Sequence, residues 1–290
     1  MDDIQDFFDD NAQLEAMNLF ISKGQPLSLG IVTKDIGNDL RITGKVGQGI
    51  KAGLFELGLH GWDHIDYTKL SEAEQKSMIN IANEKMEMMF GNMSDIFIPP
   101  YGDFNKKTVN ALEQLGIGIL SAALFSEENL DNGESIFNKT KSTNTVSAEE
   151  KLSEITSFGD AQPDGNEVFH LPGMVTFKGY VDEVPIKVPI DKIISEVSKN
   201  MAEFGYSVIV FHPQDLVQIN NSDLLNSTEM DDLSQLIDTL LSKGIKISTF
   251  SEIAGIEPRA YSYFRPSSEI AGIEPRAYSY RPTNFPVVKR

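Results

Sequence analysis

Cysteine is absent from all 290 residues. That excludes disulfides, thiolate nucleophiles and thiolate-held zinc, so any metal must be bound by His, Asp or Glu. Histidine is scarce, with four in the whole chain, and there is a single tryptophan. Positive charge is also in deficit: 25 basic residues face 43 acidic ones, for a formal net charge of −18. A surface of that sign repels phosphate backbones and anionic lipid, which argues against nucleic acid and membrane surfaces as partners. No apolar run is long enough to span a bilayer, so membrane insertion is not expected. The opening Met1-Asp2-Asp3-Ile4-Gln5-Asp6 has neither the basic region nor the apolar stretch of a signal peptide. As given, the sequence reads as soluble and cytoplasmic, with the cell envelope or exterior as the alternative if a leader has been lost. Neither compartment nor oligomeric state can be read from it.

What is present is a rhythm. From residue 27 onward, short β-rich apolar runs alternate with amphipathic stretches, the pattern of a parallel sheet built from strand–helix units. Strands are expected near 27–33, 54–59, 95–98, 117–122, 167–171, 206–211 and 245–250. The clearest is Tyr206-Ser207-Val208-Ile209-Val210-Phe211, nearly continuous in apolar character, as a strand covered on both faces should be. Between the strands, Ser71 and Glu74 form a capping box, Met78, Ala82, Met86 and Met89 recur at helical spacing, and Gly91 follows as a stop. Ile190, Ile194, Val197, Met201 and Phe204 line a second helix before Gly205, and Leu233, Ile237 and Leu240 a third before Gly244.

Two stretches break this rhythm. Residues 126–165 are rich in polar and turn-forming residues and read as a long surface excursion. The segment Ser251 to Tyr263 recurs unchanged at Ser268 to Tyr280. Two copies do not make a solenoid, which needs three or more stacking units. We therefore expect one domain over 1–256 and a tail over 257–290. The chain also opens on its acidic cluster with no strand before it, so a first strand is expected to be missing.

The residues able to carry chemistry sit at strand ends. His60-Gly61-Trp62-Asp63-His64 follows the strand ending at Leu59, and an i, i+4 pair of imidazoles converges on one ion if the segment turns helically. Strand C-terminal ends are where α/β barrels keep their sites. Asp2 and Asp3 supply two carboxylates, and a metal hydrolase uses one to bind the ion and another to accept a proton. Taken alone, they would read as a solvated acidic terminus beside Asp6, Asp9 and Asp10. Ile98-Pro99-Pro100-Tyr101-Gly102 is a rigid turn able to aim a backbone N–H at a developing oxyanion. His212, in Phe211-His212-Pro213-Gln214-Asp215, places an imidazole at the same rim.

In this order the segments resemble the motifs of the polysaccharide deacetylases, the NodB-homology carbohydrate esterases that include chitin and peptidoglycan deacetylases. The resemblance spans roughly residues 1–250. It implies a distorted (β/α) barrel of about seven strands. It also implies a metal-dependent hydrolase that removes acetyl groups from N-acetylated or O-acetylated sugars or cell-envelope polysaccharide through metal-activated water. By resemblance to the family's Thr-Phe-Asp-Asp-Gly motif, Asp2 is the base and Asp3 a metal ligand. By resemblance to His-Ser/Thr-x-x-His, His60 and His64 are the other two ligands. Pro100, Tyr101 and Gly102 match the Arg-x-Pro-Tyr-Gly turn, with the Tyr101 N–H on the oxyanion, and His212 matches the general acid. The implied cofactor is one divalent ion, zinc first, with cobalt, nickel and manganese also acceptable to a His₂Asp set.

The departures point to a divergent branch. Ile98 stands where the family has its arginine, Gly61 replaces Ser/Thr, and no counterpart of the Asp/Trp motif is found in 117–135. Trp62 and Asp215 are candidate substrate contacts, although a lone tryptophan more often serves half-buried packing. His170 reads as a structural strand-end residue. Two other readings stay open: a catalytically degenerate barrel that binds glycans, and a metal-dependent amidohydrolase acting on a small non-sugar amide.

Overall fold

The computed structural model describes residues 1–122, 168–171, 174–181, 184–218 and 221–256. The polar excursion at 126–165 and the tail at 257–290 with its second repeat copy lie outside the described residues. Strands β1 (Leu27–Ile31), β2 (Phe55–Leu59), β3 (Ile96–Phe97), β4 (Ile119–Ser121) and β5 (Phe169–Leu171) form one sheet in that order. Every pairing in it is parallel. Helices α1 (Asp10–Lys23), α2 (Leu40–Lys51), α3 (Glu72–Phe90) and α4 (Lys106–Leu115) alternate with the strands. Next come β6 (Met174–Thr176), an antiparallel hairpin of β7 (Lys178–Val181) and β8 (Val184–Lys187), α5 (Ile190–Phe204) and β9 (Val208–Val210), which pairs in parallel with β6. The described chain ends with the short pair β10 (Val217–Gln218) and β11 (Asn221–Leu225), then α6 (Ser227–Ser242) and α7 (Phe250–Ala254).

Residues 1–4 join the two parallel groups. The Ile4 N–H donates to Gly30 O, the Gly30 N–H to Met1 O and the Val32 N–H to Ile4 O, giving an Ile4–Ile31 parallel bridge, while the Asp2 N–H donates to Phe211 O just beyond β9. The acidic opening is thus strand-like and buried between β1 and the end of β9. The neighbours in order are β6, β9, residues 1–4 and β1 to β5, with the Asp2–Phe211 hydrogen bond joining residues 1–4 to the end of β9. Among the described residues no pairing links β5 to β6, and the described strands form a parallel sheet with helices, the part of the expected barrel that they show.

Period-2 alternation explains how the sheet is packed. Leu57, Leu59, Phe97 and Leu120 join Ile79, Ala82, Ala111, Leu112, Ile193 and Leu236 from the helices in the main core. On the opposite face Ile96, Ile98, Ile119, Leu171, Val208 and Val210 form a second cluster, covered by Phe250 and Ile253 of α7 and by Ile256 beyond it. Helix ends follow their sequence signals. The Ser71–Glu74 capping box is formed, and Gly91 and Gly205 close α3 and α5 at φ 83° and 81°.

One expected strand is absent. Residues 245–249 are irregular and Phe250 opens α7. The Ile245 N–H closes the end of α6 on Leu240 O, and the Thr249 side chain already caps α7.

Candidate metal and catalytic centre

The residues on the inner face of the first strands make room for the site. Gly30 in β1 has no side chain, and a Cβ there would lie 2.7 Å from Asp2 Oδ1, so the Asp2 carboxylate occupies that space. Gly58 in β2 does the same for Ile98, whose Cδ1 would be 3.0 Å from an added Cβ. His60 continues this face one step beyond β2. Its Nδ1 lies 2.8 Å from Ile98 O, which fixes the ring and turns Nε2 toward Asp3.

Asp3, His60 and His64 converge, each offering one ligand atom within 4.8 Å of the other two. His60 Nε2 and His64 Nε2 lie 3.3 and 3.1 Å from Asp3 Oδ1. That oxygen is buried and makes no hydrogen bond of good geometry. A buried carboxylate oxygen facing two imidazole nitrogens is what a shared cation would satisfy, and a His₂Asp set suits zinc and similar divalent ions. The residues present therefore fit a divalent ion. Asp3 stands at φ 59°, a strained conformation that aspartate tolerates better than most residues.

The electrostatics bind this group together. Burial would raise the Asp3 carboxyl, but His60, His64 and the Gln214 amide hold it well below the usual carboxylate range. Burial opposes charge on His60, yet Asp3 and Asp2 outweigh it and shift the ring upward. At His64 burial prevails and the shift is downward. For His212, burial is outweighed by Asp215, Asp2 and Asp3, and the ring is shifted upward. The Asp2 charge favours the protonated form of all three imidazoles.

The remaining candidates divide. Pro100 to Gly102 form a tight turn with Tyr101 at φ 63°, and the Tyr101 ring meets His64 edge-on at 4.7 Å between centroids. Its hydroxyl donates to His64 O at 3.4 Å. Asp215 is buried at 1% exposure and accepts from the His212 N–H at 2.8 Å, with His212 Nδ1 3.3 Å from the same oxygen. It lies under His212 rather than on the surface offered to a substrate. Trp62 is half-buried against the main core with Lys85 Nζ 5.7 Å over its ring, a packing position. His170 is buried in β5 beside the Phe104 ring.

Two residues were not singled out from the sequence. Gln214 donates from Nε2 to Asp3 Oδ2 at 3.0 Å. A glutamine two residues after a strand-end histidine carries no signal of its own. Tyr67 is fully buried, and its hydroxyl accepts from the Trp62 N–H at 2.9 Å. Gly61 is held at φ 80° against it, where a Cβ would lie 2.9 Å from Tyr67 Cε2 and 2.8 Å from Asp63 O. The glycine in place of the family's Ser/Thr is thus a steric consequence of this loop.

The chain is, then, a parallel α/β protein with a candidate divalent-ion site beyond the carboxyl ends of its strands. Residues 31–120 match the family model for polysaccharide deacetylase, and the resemblance to that family holds in a divergent form. Three solved structures share the fold. A peptidoglycan N-acetylglucosamine deacetylase is 16% identical, covering 89% of this chain and 87% of its own, at TM-score 0.52. A family 4 acetyl xylan esterase from Clostridium thermocellum, solved with a cobalt ion, is 13% identical over 89% and 90%, at 0.51. A CE4 family pseudoenzyme from Bacillus anthracis is 13% identical over 87% of this chain, at 0.50, and this chain spans 63% of its length. No curated protein matches the sequence. Among the described residues no helix is long and apolar enough to cross a membrane.

Proposed function

We propose that the chain is a divalent-metal-dependent deacetylase that removes acetyl groups from N-acetylated or O-acetylated sugars or cell-envelope polysaccharide. The convergence of Asp3, His60 and His64 carries the proposal, since two imidazoles and a carboxylate with an unsatisfied buried oxygen make a ligand set. A bound zinc ion, or cobalt, nickel or manganese in its place, would acidify a water and polarise an acyl oxygen. Asp2, buried over Gly30 and next in the chain to Asp3, accepts the proton of the attacking water. The Tyr101 N–H, on a backbone already held at φ 63°, donates to the developing oxyanion. His212 delivers a proton from Nε2 to the leaving amine or alcohol, while Asp215 holds Nδ1 and keeps the ring oriented.

A binding role without turnover is favoured by one observation. Ile98, buried at 4% exposure in the inner apolar cluster, stands where the family's arginine would tune the base. One experiment separates the readings: metal content per chain after reloading with zinc, with His60→Ala and Asp3→Ala controls, followed by acetate release from chito-oligosaccharides, acetylated xylan and small N-acyl compounds. One ion lost in both controls, with acetate released from the sugars, supports the deacetylase. An ion without turnover supports the binding role, release from small amides alone supports the amidohydrolase, and no ion removes the proposal.

A further inference from the structure

The turn that carries His212 also reaches the metal-ligand set, through a residue with no assigned role. Pro213–Leu216 form a single short turn directly after His212. Asp215 faces back onto His212, and Gln214, one residue earlier, faces Asp3. Asp3 Oδ1 is the oxygen turned toward the two imidazoles, so its partner Oδ2 is free to be held from behind, and the Gln214 amide holds it at 3.0 Å. The amide orientation is forced: its oxygen against a carboxylate oxygen would repel, so Nε2 must point at Asp3. Gln214 Oε1 is consequently left buried without a partner, a cost accepted to keep the donor on Asp3.

We propose that Gln214 is the positioning residue of the metal ligand Asp3, which rests on the metal-site reading above. By donating to Oδ2 it fixes the carboxylate plane so that Oδ1 presents its lone pair to the ion, the outer-shell support that ligating carboxylates ordinarily require. Asp3 sits on a backbone strained at φ 59°, and Gln214 is the side chain that holds its Oδ2 there. Because one turn orients Asp3 through Gln214 and His212 through Asp215, the ligand and the proposed acid are held in register with each other.

The test uses the full chain and zinc alone. Gln214→Met keeps the length and volume of the side chain and removes the donor; Gln214→Ala serves as a second variant should the first fail to fold. Zinc affinity is measured by competition with a chromophoric chelator, and the cobalt-substituted proteins are compared by their visible d–d spectra. The expected result is zinc affinity weaker by about 10- to 100-fold, with an altered cobalt spectrum and an unchanged far-ultraviolet circular dichroism spectrum. Parent-like affinity and cobalt spectrum in a folded variant would overturn the inference alone and leave the metal site standing. Failure of the parent chain itself to bind zinc would overturn both, and that arm is read before any variant.

Discussion

Replacing Gly61 by serine puts into the loop between His60 and His64 the residue type that the resemblance leads one to expect, and the structure makes that replacement costly. Two costs add. A non-glycine residue at φ 80° carries about 1–2 kcal/mol of backbone strain. The new Cβ also lies 2.8 Å from Asp63 O and 2.9 Å from Tyr67 Cε2. Neither neighbour yields easily: Asp63 O is backbone, and Tyr67 is fully buried with its ring packed edge-on against Phe97 at 5.4 Å. Relieving such overlap costs roughly a further 1–3 kcal/mol. We expect Gly61→Ser to destabilise the protein by about 2–5 kcal/mol in a urea titration, a large part of a typical total of about 5–15 kcal/mol. Because the loop lies between His60 and His64, zinc affinity should fall in parallel. Adding Tyr67→Ala should recover the part of the steric cost that falls on the ring and leave the Asp63 O contact and the backbone strain, so a double-mutant cycle between the two should show coupling above about 0.5 kcal/mol. A Gly61→Ser protein within about 0.5 kcal/mol of the parent would refute the steric reading of this loop.

Three further outcomes follow from the geometry. Gly30→Ala should push the Asp2 carboxylate aside, lowering the proposed deacetylation by roughly 100-fold while the proposed zinc site still binds one ion; loss of zinc instead would mean that Asp3 moved with it. Asp215→Asn removes a charge that helps hold His212 upward, so the alkaline limb of the pH–activity profile should move to lower pH, and an unmoved limb would argue against His212 as the acid. Glu56 is raised mainly by burial despite accepting from the Phe250 and Ser251 N–H groups of α7. Its folded value lies above its unfolded one, so its stabilising contribution is complete below the ordinary glutamate range and declines as pH rises through the raised value. The parent should therefore lose stability relative to Glu56→Gln between acid and neutral pH, and parallel denaturation curves at both would contradict this.

The sequence by itself determined much of the local structure, because that structure rests on short-range rules. Ser71 with Glu74, the methionines of α3, and the glycines at 91 and 205 specify helix ends and faces through contacts only a few residues apart. The apolar runs around Leu57, Ile119 and Ile209 specify buried strands in the same way. Those rules failed at 245–250, where the chain is irregular to Thr249, whose side chain caps the helix opening at Phe250. The ordered motifs at 2–3, 60–64, 98–102 and 212 were also legible as a pattern, the last three because each marks the end of an apolar run.

Tertiary structure decided everything that depends on distance between segments. Residues 1–4 belong to the sheet only because Gly30, Val32 and Phe211 supply backbone partners, and only that pairing brings Asp3 to within 3.3 Å of both histidines. Gln214 bonds across 211 residues of sequence to Asp3, and nothing near it in the chain announces the contact. Asp215, a candidate substrate contact when read along the chain, is buried beneath His212 because the turn after Pro213 folds it back. Periodicity reports which way a side chain faces on its own element, whereas a site is a meeting of elements whose register is set by long-range pairing and packing.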